Sequence, residues 1–309
     1  MKTINQLSEK ERVDFPLLVA QVTQGVTTSG APYLSLVLQD KSGSIDGKLW
    51  DVKEDQVSIA KPGAILHVVG EVLKYRNVLQ LRVHNISIPD EEHQISSFVE
   101  ETDIPIEHLK DKIEKTIDSI SDEILMGITR QVFMRYEESF YEYPAASRNH
   151  HDFKGGLATH VVAMIEIGDF VASKYPLLDR DLLMAGIILH DIGKVLELSG
   201  PILTEYTLKG KLLGHISMIH SIIHEIAVSN DWQDKEQIIL LSHMVLSHHG
   251  QYEYGSPVLP LIAEAEVLNL IDNLDARMNM FEKMYESTEP QSFSQRIFSL
   301  ENRSFYRSK

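Results

Sequence analysis

A chain of 309 residues, 43% hydrophobic and 24% charged, has the composition of a folded globular protein and is long enough for two domains. It contains no cysteine, which excludes disulfides and thiolate metal sites and fits a cytoplasmic protein. The net charge of −16 argues against a strongly basic nucleic-acid binder, but it is unevenly spread. Residues 1–90 hold 10 Lys+Arg and 10 Asp+Glu, whereas residues 91–309 hold 19 and 35. The histidines are uneven too: 10 of the 14 fall between His150 and His249. Two domains with different chemistry are therefore expected. The N-terminus, MKTINQLSEKERVDF, has no signal-peptide core, and no apolar run approaches the roughly 20 residues needed to cross a bilayer, so no membrane partner is expected.

From Val13 to Ile88 the signals are those of strands. DFPLLVAQVTQGV, APYLSLVLQD, GSIDGKLWDV, AILHVVGEVLKY and VLQLRVHNISI are short, rich in Val, Leu and Ile, and separated by turn residues. Alternation is clear in Tyr33-Leu34-Ser35-Leu36-Val37-Leu38 and in Leu79-Gln80-Leu81-Arg82-Val83. Five short strands suit a small closed barrel. The run YLSLVLQDKSGSIDGKLW resembles the second and third strands of an OB-fold, a face that commonly stacks single-stranded bases on aromatics and guides phosphates with Lys and Arg. Its candidates are Tyr33, Trp50 and Tyr75, with Lys48, Lys74, Arg76 and Arg82. The competing reading is that these aromatics are ordinary core or rim residues.

Residues 89–105 are acidic and turn-rich and read as a linker, followed by an amphipathic helix with Ile106, Leu109, Ile113, Ile117 and Ile120 on one face. Segments 122–143, 157–175, 180–198, 211–229, 235–248 and 259–285 all have helical period, so the second domain should be all-α. The tail after Glu286 is basic and polar and reads as an arm or a disordered end. We therefore expect an N-terminal segment (1–12), a barrel (13–90), an acidic linker and helix (91–121), a helical domain (122–286) and a tail (287–309).

Within the helical segments, ionisable residues interrupt apolar runs at five places. They are His160 in GGLATHVVAM, His190-Asp191 in GIILHDIGK, His215 in LLGHISM, His248-His249 in VLSHHGQYEYGSP, and Asp272 in VLNLIDNLDARM. A lone histidine on an apolar face is usually a satisfied core residue, but five intrusions would each need a buried partner. One or two shared divalent cations would serve them all. Imidazole with carboxylate suits Mn²⁺, Fe²⁺, Co²⁺, Ni²⁺ or Zn²⁺ better than Mg²⁺. Four histidines and two aspartates exceed one coordination sphere, so two ions sharing a carboxylate is the economical arrangement, with Asp191 the natural bridge. In a helix continuing through this stretch, Lys194 would share a side with His190 and Asp191 and meet a phosphate oxygen.

The order His … His-Asp … His … His-His … Asp, with GGLATH and HDIGK, resembles the HD superfamily of metal-dependent phosphohydrolases. The resemblance implies that His160, His190, Asp191 and Asp272 hold one ion, and that His215 and His248 join Asp191 around a second. His249 is then a further ligand or a substrate contact. Some relatives add a metal-ligating glutamate before the first His, but Phe153-Lys154-Gly155-Gly156 offers no carboxylate. The barrel followed by PAASRNHHDFKGGLATH and SHHGQYEYGSPVLPLIAEAEVLNLIDNLDA more specifically resembles the YhaM family of bacterial exoribonucleases. That family implies Mn²⁺-dependent removal of nucleoside 5′-monophosphates from the 3′ end of RNA. The residues themselves lead us to expect a two-metal activated hydroxide, with Asp191 and Lys194 as catalytic residues and the barrel feeding the single strand toward the metals.

Other residues carry two readings each. His150, His151, Tyr252 and Tyr254 would line the substrate path or would be ordinary loop and turn residues. His220 and His224 are four apart but have no glutamate base between them and read as structural, as does His243. Asp275 shares a face with Asp272 and is the alternative last ligand. The resemblance implies RNA, but the residues do not fix RNA over DNA, because none can be shown to read a 2′-hydroxyl, and single-stranded DNA stays open as a partner. A homo-oligomer is left open. Two rival functions remain: an HD hydrolase of small nucleotides or cyclic dinucleotides, and a nucleic-acid-binding protein without catalysis.

Overall fold

In the computed structural model, residues 2–28, 30–75, 78–146, 151–202 and 204–309 are described. They divide into two units, Met1–Glu101 and Thr102–Lys309. The first is a closed barrel of β1 (Arg12–Val26), β2 (Pro32–Asp40), β3 (Gly43–Trp50), β4 (Ile65–Tyr75) and β5 (Val78–Ser87). Around the barrel the order is β1-β2-β3-β5-β4, and β4 closes back on β1. Only the β3–β5 pairing is parallel. Period-two alternation decides the two faces. Leu34, Leu36 and Leu38 of β2 and Leu49, Leu81 and Val83 of the neighbouring strands point into one core. Tyr33, Lys48, Trp50 and Arg82 take the opposite face. A short helix that the sequence did not announce, α1 (Glu54–Ile59), bridges β3 and β4 and is tied down by Gln56 Nε2 donating to Asn85 Oδ1 at 3.0 Å. Six residues are too few to display a helical period. The N-terminal segment joins the same core through Ile4 and Leu7.

The second unit is helical: α2 (Ile106–Asp118), α3 (Glu123–Phe140), α4 (Gly156–Lys174), α5 (Arg180–Leu189), α6 (Lys194–Glu197), α7 (Leu208–Ser229), α8 (Glu236–Ser247) and α9 (Ala263–Ser287). Its centre is α5, buried from Leu182 to Leu189 and packed against α3, α4, α8 and α9. Because α5 is covered on every side, its sequence is apolar all round, as the run LLMAGIIL shows. Helix α2 belongs to this core, with Leu109, Ile113 and Ile117 buried, while Ile106 at its start is exposed. Contrary to the expectation from the sequence, α4 and α7 are each long and apolar enough to span a bilayer by length and composition, but 50% of the apolar stretch of α4 and 39% of that of α7 are buried inside the protein.

Two helical expectations change, and so does that for the tail. The segment 180–198 is not one helix: α5 stops at Leu189 and α6 starts at Lys194. Helix α7 is kinked at Gly214. The tail is ordered against α9: Arg277 grips Glu301 with two hydrogen bonds of 2.9 and 3.1 Å, and Arg307 donates to the carbonyls of Tyr285 and Thr288. A two-stranded pairing of β6 (Ser292–Phe293) with β7 (Tyr306–Arg307) completes it.

Candidate metal centre

Five helices of the second unit deliver the side chains. His160 sits on the inward face of α4, beside buried Leu157 and Val161. His190 and Asp191 leave the end of α5, His215 follows the kink of α7, His248 and His249 leave the end of α8, and Asp272 lies on α9. The opening of helix between α5 and α6 is closed by three-residue turns, with Ile192 N donating to Leu189 O and Lys194 N to Asp191 O. Such turns eclipse side chains three apart. Lys194 Nζ thereby reaches Asp191 Oδ2 at 2.5 Å by a tight turn rather than by the continuing helix expected from the sequence.

Two glycines permit this geometry. Gly193 presses on the chain beside His215, so that a Cβ there would stand 2.6 Å from His215 O. Gly214 has φ 71° and ψ 154°, a combination essentially confined to glycine. The break frees the amide of His215 from α7's own ladder, and it donates to Glu197 Oε1 at 3.1 Å.

Asp191 is the centre of the arrangement, and its two oxygens face different partners. Oδ2 lies 3.3 Å from His190 Nε2 and 4.0 Å from His160 Nε2, and His160 Nε2 is in turn 3.3 Å from Asp272 Oδ1. Oδ1 lies 3.3 Å from His215 Nε2 and 3.7 Å from His248 Nε2. Two clusters with ligand spacing flank Asp191, His160, His190 and Asp272 on one side and Asp191 itself with His215, His248 and His249 on the other, and a third group of the same spacing, His151, His160 and Asp275, adjoins the first.

The opposite nitrogen of each ring is already engaged. His190 Nδ1 bonds Ile187 O, His248 Nδ1 bonds Val245 O and His249 Nδ1 bonds Tyr254 O. His160 Nδ1 and His215 Nδ1 instead meet carboxylates, Asp275 Oδ2 at 2.6 Å and Glu197 Oε2 at 3.0 Å. Outer partners of this kind fix the ring orientation and raise ligand basicity. Facing inward, His190 Nε2, His215 Nε2, His248 Nε2 and Asp191 Oδ1 are buried with no hydrogen-bond partner. Buried polar atoms seldom go unsatisfied, and these converge on one carboxylate. The donor set fits divalent cations with mixed nitrogen and oxygen preference.

The buried charges act on these groups in different directions. Burial acts to raise Asp191, but the charges of Lys194 and His190 prevail and hold it well below the usual carboxylate range. Burial acts to lower His160, yet Asp272 and Asp275 outweigh it and raise the ring to about 9. His248 has no carboxylate behind it, and burial pushes it down to about 3, a neutral imidazole near pH 7.

Asp272 and Asp275 are thus separated: Asp272 faces the centre and Asp275 stands behind His160. His151 is not on an open path. It is 5% exposed and its Nε2 lies 2.8 Å from Asp275 Oδ2, so burial assigns it to the support of His160 rather than to contact with a strand. Glu197 was not singled out in the sequence, where it reads as one more acidic residue in KVLELSG. His243 Nε2 accepts from Leu261 N at 2.9 Å, a structural role. His150 and Arg76 lie outside the described residues.

A cleft of about 760 Å³ opens beside the second cluster, lined by Lys194, His215 and His249 and also by Tyr206, Lys211 and Tyr254. Tyr252, the expected substrate contact, is exposed but does not line this cleft, whereas Tyr254 does. On the barrel, Tyr33 and Trp50 are cross-strand partners with ring centroids 4.9 Å apart, and Lys48 Nζ lies 4.9 Å from the Tyr33 ring. Arg82 is in register with Lys48 across the β3–β5 pairing. Tyr75 is not part of that cluster: it pairs with Val78 at the β4–β5 hairpin, four residues along β5 from Arg82.

Comparison with known proteins places both units. A family model described as an HD domain matches residues 157–277, and one described as an OB-fold nucleic acid binding domain matches residues 18–89. A 3′-5′ exoribonuclease YhaM of Geobacillus sp. (strain WCH70) is 46% identical over 299 residues, covering 96% of this chain and 92% of the relative. Among solved structures, the second OB-fold domain of replication protein A from Methanococcus maripaludis aligns with 26% identity and a TM-score of 0.25, covering 30% of this chain and 98% of that one. An asparaginyl-tRNA synthetase of Entamoeba histolytica aligns with 12% identity and a TM-score of 0.24, covering 47% and 36%.

Proposed function

The chain belongs to the YhaM family of 3′-5′ exoribonucleases and is a hydrolase of phosphodiester bonds, and from that premise we propose that it shortens single-stranded RNA from the 3′ end, releasing nucleoside 5′-monophosphates, with two divalent ions bound in the helical unit. The observation that carries this reading is the division of Asp191, one oxygen toward His160 and His190 and the other toward His215 and His248. His160, His190, Asp191 and Asp272 would hold the first ion, and Asp191, His215, His248 and His249 the second. The mixed imidazole and carboxylate donors favour Mn²⁺ over Mg²⁺. When bound, the ions supply an activated water and positive charge at the scissile phosphate.

The protein's own residues do the rest. Asp191 fixes the spacing of the two clusters. Lys194, buried beside it, presents an ammonium to the oxygens on which charge develops during displacement at phosphorus. On the barrel, Tyr33 and Trp50 offer ring faces to unpaired bases, and Lys48 and Arg82 offer cations to the backbone between them. The chain acts in the cytoplasm, a setting that its lack of cysteine fits.

The test is an RNA with an unpaired 3′ tail, labelled at its 5′ end and incubated with the protein with and without Mn²⁺. A ladder shortening from the 3′ end only when Mn²⁺ is present is expected. Asp191→Asn should abolish shortening and leave strand binding intact, and cutting at the normal rate by that variant would refute the ligand assignment. Cleavage of small nucleotides alone would instead favour a hydrolase of free nucleotides.

A further inference from the structure

We infer that the cleft beside His215 and His249 is the seat of the strand's terminal nucleotide, with Tyr206 and Tyr254 facing its base and Lys211 its phosphate. The inference rests on the proposed exonuclease reading and adds the residues that grip the unit being removed.

The cleft is of the size that ligand pockets commonly have, about 760 Å³, and one wall is the chemistry itself: Lys194, His215 and His249. The remaining wall is unlike the buried centre. Tyr206 is 46% exposed and Tyr254 is 63% exposed, so each leaves an aromatic surface to solvent that folding alone does not cover. Lys211 is exposed and makes no ion pair among the described residues. Two aromatic rings, a cation and a cluster of metal-ligand type around one cleft match a base joined to a phosphate more closely than they match a sugar, a peptide or a bare anion.

Both tyrosines are fixed to the centre through the backbone. Tyr206 is bridged to Leu198, and the next amide, Thr207 N, donates to Glu197 O at 2.9 Å. Glu197 is the carboxylate behind His215. Thr207 caps α7 by accepting from Gly210 N, which sets the turn that carries Lys211. Tyr254 holds His249 by its carbonyl at 2.7 Å, so its side chain can be removed without breaking that bond. Each ring is therefore placed by the same residues that orient an imidazole, and a base resting there would bring its own phosphate to the centre.

The probe is adenosine 5′-monophosphate, titrated calorimetrically into full-length protein loaded with Mn²⁺. Wild type should bind it. Tyr206→Ala and Tyr254→Ala should each weaken binding by roughly 10-fold, a typical loss for one base–aromatic contact, and Tyr206→Phe should restore it. Lys211→Ala should weaken the monophosphate and leave adenosine unchanged. In the 3′-tailed RNA assay the same tyrosine variants should raise KM more than they lower kcat. If wild type shortens RNA but all three truncated variants bind the monophosphate as it does, the cleft assignment is overturned while the exonuclease reading stands. If wild type shortens no RNA, it is the exonuclease reading that falls.

Discussion

Asp191 and the five imidazoles around the centre are held by a layer of groups that no cation would touch. Three of the rings lean on backbone carbonyls, which cannot be mutated away, but His160 and His215 lean on side chains, Asp275 and Glu197. That difference makes the layer testable. Asp275→Asn and Glu197→Gln keep the shape of each contact and remove its charge, and each should weaken Mn²⁺ binding about 10–100-fold in a direct titration. Because Asp275 stands behind the first cluster and Glu197 behind the second, each change should weaken one of two binding steps. Unchanged affinity in both variants would mean that the carboxylates only fill space. His151 extends the first arm, since it shares Asp275 Oδ2 with His160.

Among the elements, the strands and most helices were legible because alternation and helical period are carried by the residues themselves. All five barrel strands fall within about two residues of their expected ends. What escaped was set by contacts distant in sequence. Nothing in HDIGK distinguishes a continuing α-turn from the tighter turns observed; the choice depends on Gly193 meeting His215 O, which arrives from α7. Asp272 and Asp275 are three apart on one helix face, so spacing could not say which faces the centre, and only the approach of His160 separates them. Glu197 was invisible for the same reason, because its partner lies 18 residues away across the Gly214 kink. That kink gives a prediction at the scale of the helix. Gly214→Ala places a side chain where the backbone forbids one, at a cost of about 1–3 kcal/mol. On the proposed two-ion reading, metal analysis should then find about one Mn²⁺ per chain in place of two, with a lowered Tm. Full occupancy and an unchanged Tm would show that α7 tolerates the break without glycine.

For the whole molecule, the division of charge is also a division of labour. Residues 1–90 are neutral by count, with Lys48 beside the Tyr33 ring on the barrel, while residues 91–309 carry the whole negative excess. Global charge is therefore a poor guide to whether this chain meets nucleic acid. Local placement decides it, as the pairing of Lys48 with the Tyr33 ring illustrates. The ordered tail belongs to the same scale: Arg303 donates to Glu301 and to the carbonyl of Leu300, and Arg307 to the carbonyls of Tyr285 and Thr288, so part of the tail's basic character is already engaged.

The barrel and the helical unit each close their own hydrophobic interior, and the two sets of buried residues share no member. Heated in a calorimeter, such a chain should give up its order in two separable endotherms. Only the helical one has anything to gain from cations, by about 2.7 kcal/mol at a hundredfold excess over Kd. Stripping the protein with a chelator should therefore slide one peak to lower temperature and leave its companion where it was.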